Sequence, residues 1–441
     1  MTTIAPHDEV TLADFDLSDP EFWLAPRSFR EGAFKALRDT PGLVHFAERE
    51  IPELPFPPGP GYWAVTRHDD LKYVSRNVET FSSAEGVTLE EMEPDDFEAR
   101  RNMLEYDPPE HTRYRRLVSK PFSRREVYAY ESAIRLLARE VVDEALAPGA
   151  HVSLDFVEGI AKQLPMRMLG RLLGVADDDG PWLVERGDAL LGNFDPEFTD
   201  HPVGLTNTDE FKSVPFRSPA ALELYRYAES EAEKRRLHPT DDVIGHLLAP
   251  TIEGDRLTEQ EFKNFFVLLV SAGNDTTRYT MAASMKALIE RPDQMALLRD
   301  AIVRGDDAFV DLAVEELIRW ATVTMHFRRT ATVDTTLRGV SIKAGDKVVI
   351  WFVSADYDED AFDRPYELDL GRTPNPQVAF GLMSPHLCLG AQLARMEIKL
   401  LFQELLPRLT SAELAGPIER MRSNFIAGIK SLPVRLTVTP P

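Results

Sequence analysis

The chain of 441 residues holds 43% hydrophobic and 28% charged residues, with 24 Phe, 11 Tyr and 5 Trp, a balance that excludes disordered, collagenous and coiled-coil classes and leaves a folded, enzyme-sized protein. Lys and Arg total 50 against 73 Asp and Glu, a net charge of −23, which speaks against a nucleic-acid binder or a protein held on anionic lipid by charge. Its one cysteine, Cys388, excludes an intrachain disulfide and the usual Cys-rich zinc sites.

In chain order, the first residues lack the basic start and apolar run of a secretory signal, and no uninterrupted apolar stretch long enough to span a bilayer follows. A soluble, cytoplasmic protein without membrane contact is expected. Residues 42–46 and 62–66 are β-branched and aromatic runs that read as strands. Residues 85–109 and 193–219 are Pro-rich or acidic and read as long loops suited to substrate entry. Helical spacing marks 126–147, 165–173, 220–236 and 242–248. The clearest helix starts at Thr258, where Thr258-Glu259-Gln260-Glu261 forms a capping box, and its apolar pattern runs without proline to Pro292. Roughly 33 residues at about 1.5 Å each make a rod of about 50 Å, which must cross the whole molecule. Its middle, Ser271 to Thr277, is rich in poor helix formers, and Gly273 alone costs about 1 kcal/mol. Either the helix opens there for function, or Gly273 lets another helix approach closely. Residues 312–320 are again helical, 328–333 and 346–353 read as strands able to join the first two in one sheet, and 391–406 is a helix that stops at Pro407. No repeat of 20 to 50 residues is present. The expected fold is therefore mostly α with small β-sheets.

Cys388 stands just before the start of that last helix, where the helix dipole and free N–H groups favour a thiolate over a thiol. Three readings are open from the residues alone: an inert buried thiol, a nucleophile paired with His386, or a metal or haem ligand.

The segment from Phe380 to Gly390, with His386 two before the cysteine and Gly390 two after it, resembles the haem-binding loop of the cytochromes P-450. Three further motifs in family order extend the resemblance. Glu316-Leu317-Ile318-Arg319 is similar to the family's Glu-x-x-Arg helix, with Arg372 as its third partner. Ala272-Gly273-Asn274-Asp275-Thr276-Thr277 matches the oxygen-activating segment of the long central helix. Pro109 to Arg116 is similar to the helix that crosses the haem propionates. In one respect the chain departs from the pattern: Leu382, Met383, Ser384 and Pro385 include none of the family's glycines, and Phe380 and Cys388 lie one step further apart than is common. That leaves the loop less freedom for positive φ.

The resemblance implies a single cytochrome P-450 domain over 1–441, with the long central helix over a buried haem b. It implies Cys388 as the thiolate ligand to iron, and His111, Arg115, Arg329 and His386 as propionate partners, since a buried carboxylate needs cations. Asp275 and Thr276 would be the acid and alcohol that deliver protons. Glu316, Arg319 and Arg372 would support the haem-binding core. Val270, Ala272, Val323, Met325, Phe327, Phe425, Ile426 and Ala427 fall in segments that line family pockets. All are apolar, which suggests a hydrophobic terpenoid, steroid or aromatic substrate positioned by shape. The implied reaction is insertion of one atom of O2, in a monomer fed by a separate ferredoxin and ferredoxin reductase. A basic cluster of Arg113, Arg116, Lys120, Arg124 and Arg125 is the expected docking face. The alternatives are a haem-thiolate protein that uses peroxide or acts as a binding or sensor protein, and a Cys-His hydrolase without haem.

Overall fold

A computed structural model describes residues 10–48, 59–89, 91, 94–192, 195–200, 209–212, 214–251, 254–382 and 384–439. Thr258 caps the longest helix: its side chain accepts from the Glu261 N–H, and the Glu261 carboxylate accepts from the Thr258 N–H. The helix then runs from Glu259 to Glu290, with its flanks against the helices Asp179–Leu191, Pro219–Leu237 and Asp307–Ala321.

The expected opening of this helix at Ser271–Thr277 is not found, for the helix is continuous through it. Packing against the neighbouring helices carries the helix through, while hydroxyls find their partners by bonding back along it: Ser271 to the Val267 carbonyl at 3.0 Å, Thr276 to Ala272 at 3.0 Å and Thr280 to Thr276 at 2.7 Å. A Cβ on Gly273 would meet only Leu169, at an ordinary 3.6 Å. Close helix approach therefore does not require this glycine either; what it leaves is space in the cavity it faces.

The four expected strands do form one sheet. Its order is Val44–Phe46, Tyr62–Val65, Lys347–Trp351, His326–Ala331 and Phe81–Ser82, with only the Tyr62–Val65 and Lys347–Trp351 pair parallel. The strand expected at 328–333 is His326–Ala331, two residues earlier at each end. A second sheet joins His151–Asp155, Pro433–Val438 and Leu409–Leu414. Two helical stretches differ in detail. The region 126–147 is two helices, Arg124–Ala129 and Glu131–Leu146, and 312–320 begins earlier, at Asp307, because the Asp306 side chain accepts from the Phe309 N–H.

The two expected long loops are more ordered than their composition suggests. In the first, the helix Pro94–Arg100 is followed by a turn, Met103–Glu105, closed by a reciprocal Asn102 and Glu105 cap. In the second, short turns lie at Asp209–Phe211 and Pro215–Arg217. Residues 90, 92–93, 193–194, 201–208 and 213 of these segments lie outside the described residues, as does Met383 of the cysteine loop.

Candidate active site

Cys388 closes a loop that runs into the helix Ala391–Leu405: its N–H donates to the Phe380 carbonyl at 2.9 Å. The loop turns at Gly381, which takes φ +78°. Among the described residues from Leu382 to Cys388 none has a positive φ, so Gly381 supplies the left-handed step of this loop. Cys388 lines a cavity and is exposed to it. Burial raises the thiol's pKa, against which the N–H groups of Gly390 and Ala391, donating to the sulfur, and the charges of Arg115 and Arg395 favour the thiolate.

Beside the cysteine the structure gathers the four residues expected as propionate partners. The rings of His111 and His386 lie 4.3 Å apart, and Arg115, Arg329 and His386 line the same cavity as Cys388. Burial, then the neighbouring arginines, pushes His111 down to about 4. Burial, Arg329, His111 and Arg115 push His386 down to about 2, and burial lowers Arg329 to about 10. The one carboxylate acting on His111 and Arg329, Asp107, is already occupied by the Ser82 hydroxyl and the Ser83 N–H. His111 Nε2 and Arg329 Nε are buried without a hydrogen-bond partner. Both imidazoles are therefore neutral, and the charge at the site is that of Arg115 and Arg329, two cations beside orphaned polar atoms, an arrangement that an anion would relieve.

Across the cavity is the long helix. Ala272, Gly273, Thr276, Thr277 and Thr280 line the space with Cys388. Asp275 does not: successive helix residues are rotated by roughly 100°, and its carboxyl is fully buried on another face. There it lies 3.2 Å from Arg278, whose guanidinium also holds Asp188, with Lys162 3.9 Å beyond. Burial raises Asp275 to about 7, with Arg278 opposing and Asp188 assisting the rise. Its Oδ2 has no partner.

The cavity, about 240 Å³, has walls that are mostly apolar. Of the expected pocket residues, Ala272, Val323 and Phe327 are in its lining; Val270, Met325, Phe425 and Ile426 are not. Val270, two residues from Ala272 and so about 200° around the helix, instead backs onto Gly187. Met325 precedes the strand His326–Ala331, so strand alternation does not reach it, and it packs among Trp23 and Trp351. The stretch from Phe425 to Ala427 forms a second layer behind Val323–Met325: the Met325 N–H donates to the Phe425 carbonyl, Thr324 bridges Ile426, and the Ala427 N–H donates to Val323.

Several residues escaped the sequence reading. Asp188 and Lys162 lie far along the chain from Asp275, whereas Arg278, three residues on, was detectable as a helical neighbour. Glu397 lines the cavity from the helix behind Cys388, with Oε2 unpartnered, and burial pushes its carboxyl up to about 8. Leu104, Phe122, Leu169 and Phe265 complete much of the apolar wall. The supporting triad is as expected: Arg319 meets Glu316 at 2.7 and 2.8 Å, and Arg372 meets it at 3.0 Å. In the basic cluster, Arg113 is tied to Glu261 at 2.6 Å and to Asp255 at 3.3 Å. Arg116, Lys120, Arg124 and Arg125 are exposed, and the helix carrying the last two packs against the helix that follows Cys388.

No helix among the described residues is long and apolar enough to cross a membrane. The family model described as Cytochrome P450 matches residues 221–436. A methyl-branched lipid omega-hydroxylase of Mycobacterium tuberculosis is 36% identical over 97% of this chain and 96% of its own length. A steroid C26-monooxygenase of the same species is 37% identical over 86% of this chain and 83% of its own. A Mycobacterium marinum cytochrome P450, solved in complex with pseudoionone, superposes with a TM-score of 0.86 at 38% identity, covering 98% of this chain and all of the other. A likeness of this extent, reaching both ends of the chain, establishes that the protein belongs to the cytochrome P450 family and is a monooxygenase.

Proposed function

We propose that the protein, working over 1–441 as one cytochrome P450 domain and as a cytoplasmic monomer, inserts one oxygen atom of O2 into a hydrophobic lipid or steroid, with electrons from a separate ferredoxin and its reductase. The observation that carries this reading is that the Cys388 thiol and the Thr276 hydroxyl line one largely apolar cavity.

The residues present fit haem b. The charges of Arg115 and Arg329, with unpartnered nitrogens on His111 and Arg329, suit two propionates, and a thiol receiving two backbone N–H bonds suits a cysteinate ligand. Cys388 would hold the iron, and His111, Arg115, Arg329 and His386 the propionates. When bound, such a group supplies a thiolate-ligated iron competent to activate O2.

The rest is the work of this chain. Thr276, its hydroxyl anchored on the Ala272 carbonyl, holds water and hands on a proton at Oγ1. Asp275, near neutral in proton affinity, holds a proton for release from its carboxyl. Phe327, Val323 and Leu269 exclude bulk water and orient the substrate by shape. The relatives' activities, on a methyl-branched lipid and on a steroid, agree with a wall that offers little polar purchase.

The test is turnover of branched-chain lipids and sterols by the purified protein with NADPH, ferredoxin and ferredoxin reductase under 18O2. One labelled oxygen per product is expected. Product formed only when peroxide is added, or binding without turnover, would overturn the reading.

A further inference from the structure

A second cavity, about 90 Å³, lies away from Cys388, between the helix Arg27–Asp39, the later turns of the long helix and the hairpin of Glu419–Arg420 with Ile429–Ser431. A water needs roughly 10–15 Å³ of such space, so a polyatomic ion fits. Five cations line it: Arg27, Arg30, Arg38, Lys286 and Arg420. Three have their own carboxylate, Arg27 with Glu31 at 2.6 Å, Lys286 with Glu290 at 2.6 Å and Arg38 with Glu359 at 2.9 Å. Arg30 and Arg420 have none: no hydrogen bond or ion pair reaches either guanidinium among the described residues, and Arg30 Nε is buried as well as unpartnered.

Arg30 and Arg420 are half-buried, and although Glu31 and Glu290 act on them through space, neither carboxylate bonds them, so two guanidinium groups offer donors to one cavity in a geometry that suits an anion between them. Burial, then Arg420 and Arg27, lowers Arg30 to about 9 against the opposing pull of Glu31 and Tyr357, and burial, then Arg27, lowers Arg420 against that of Glu290. Arg27 stacks over Trp320 at 3.8 Å and donates to the Tyr357 hydroxyl at 2.6 Å, so it is held against the wall.

We propose that this cavity binds a small inorganic oxyanion with two negative charges, of the phosphate or sulfate kind, between Arg30 and Arg420. Arg30 comes from the N-terminal helix and Arg420 from the C-terminal hairpin, so the ion ties the two ends of the fold together. A ligand that binds only the folded chain stabilises it in proportion to the logarithm of its concentration once the site fills.

The experiment uses the haem-loaded protein in a zwitterionic buffer, with ionic strength held constant by chloride. Equilibrium dialysis with labelled inorganic phosphate should show one saturable equivalent, displaced by sulfate and not by chloride, and the melting midpoint should rise over the same range. Arg30→Gln and Arg420→Gln should each weaken binding at least tenfold. In phosphate-free buffer Arg420→Gln should be no less stable than the parent, because it removes a like charge. Arg435→Gln, an exposed partner of Glu413, should bind as the parent does. Unsaturable binding, parental affinity in Arg420→Gln, or binding of adenosine monophosphate but not of free phosphate would each overturn the proposal.

Discussion

The guanidinium of Arg278 lies 3.2 Å from Oδ1 of Asp275 and grips Asp188 at the same time, so one cation serves two buried carboxyls. The arrangement holds Asp275 away from the cavity while its neighbour Thr276 faces it. Acid and alcohol are thus adjacent in the chain but lie in different surroundings, which predicts different phenotypes when each is removed.

Thr276→Ala should uncouple electron use from product: NADPH consumption continues and hydrogen peroxide is released. Asp275→Asn keeps the shape and removes the ionisable group, so turnover should slow by roughly 10²-fold with coupling less affected. NADPH, peroxide and product are measured together. Parental coupling in Thr276→Ala would remove the proton role of its hydroxyl.

Asp188 contributes to the raised proton affinity of Asp275 after burial itself. Asp188→Asn removes that like charge and should bring Asp275 below its value of about 7. If turnover needs the protonated Asp275, activity falls as pH rises through that value, and in the variant the fall should begin at lower pH. A pH profile of kcat decides it. An unmoved limb means that another group titrates.

Cys388→His should abolish the red-shifted Soret band of the reduced protein with carbon monoxide, since histidine supplies no thiolate. A normal band in the variant means that the sulfur is not the ligand.

Glu397 is 2% exposed, and burial pushes it up to about 8 from an ordinary 4.5. A carboxyl with a raised folded pKa contributes stability that is present below about 4.5 and is lost as pH rises through about 8. Glu397→Gln should abolish this dependence. Relative to the variant, the parent should lose at most about 1.4 kcal/mol per pH unit in that window. Denaturant unfolding at several pH values measures the difference, and parallel curves would show Glu397 to be ionised or solvated.

Electron supply gives the last prediction. Arg113 is bound to Glu261 and Asp255, and Arg116 shares Asp255 at 3.5 Å, but Arg116, Lys120, Arg124 and Arg125 are all exposed and outnumber that carboxylate, so the docking charge is expected from them. Arg116→Glu with Arg124→Glu should slow reduction by ferredoxin several-fold at low salt, with reduction by dithionite and substrate binding unchanged. An unchanged ferredoxin rate with its usual fall at high salt would put the docking face elsewhere.

Short-range features of the chain were decided by its sequence. The capping box at Thr258, Cys388 just ahead of the helix at Ala391, and Glu316 with Arg319 on one helix face follow from spacing and propensity within a few residues, and so did the order of motifs. Tertiary structure alone decided the rest. It chose which face of the long helix meets the cavity, so Ala272 lines it and Val270 does not, and it put Met325 into a separate cluster beside Trp351. It joined Asp188 to Arg278, left Arg30 and Arg420 unpaired in one cavity, and paired His151–Asp155 with Pro433–Val438. The physical reason is range. A cap or helical repeat is satisfied by neighbours along the chain, whereas the partner of a buried charge or edge strand is whichever distant segment packing brings within a few ångströms.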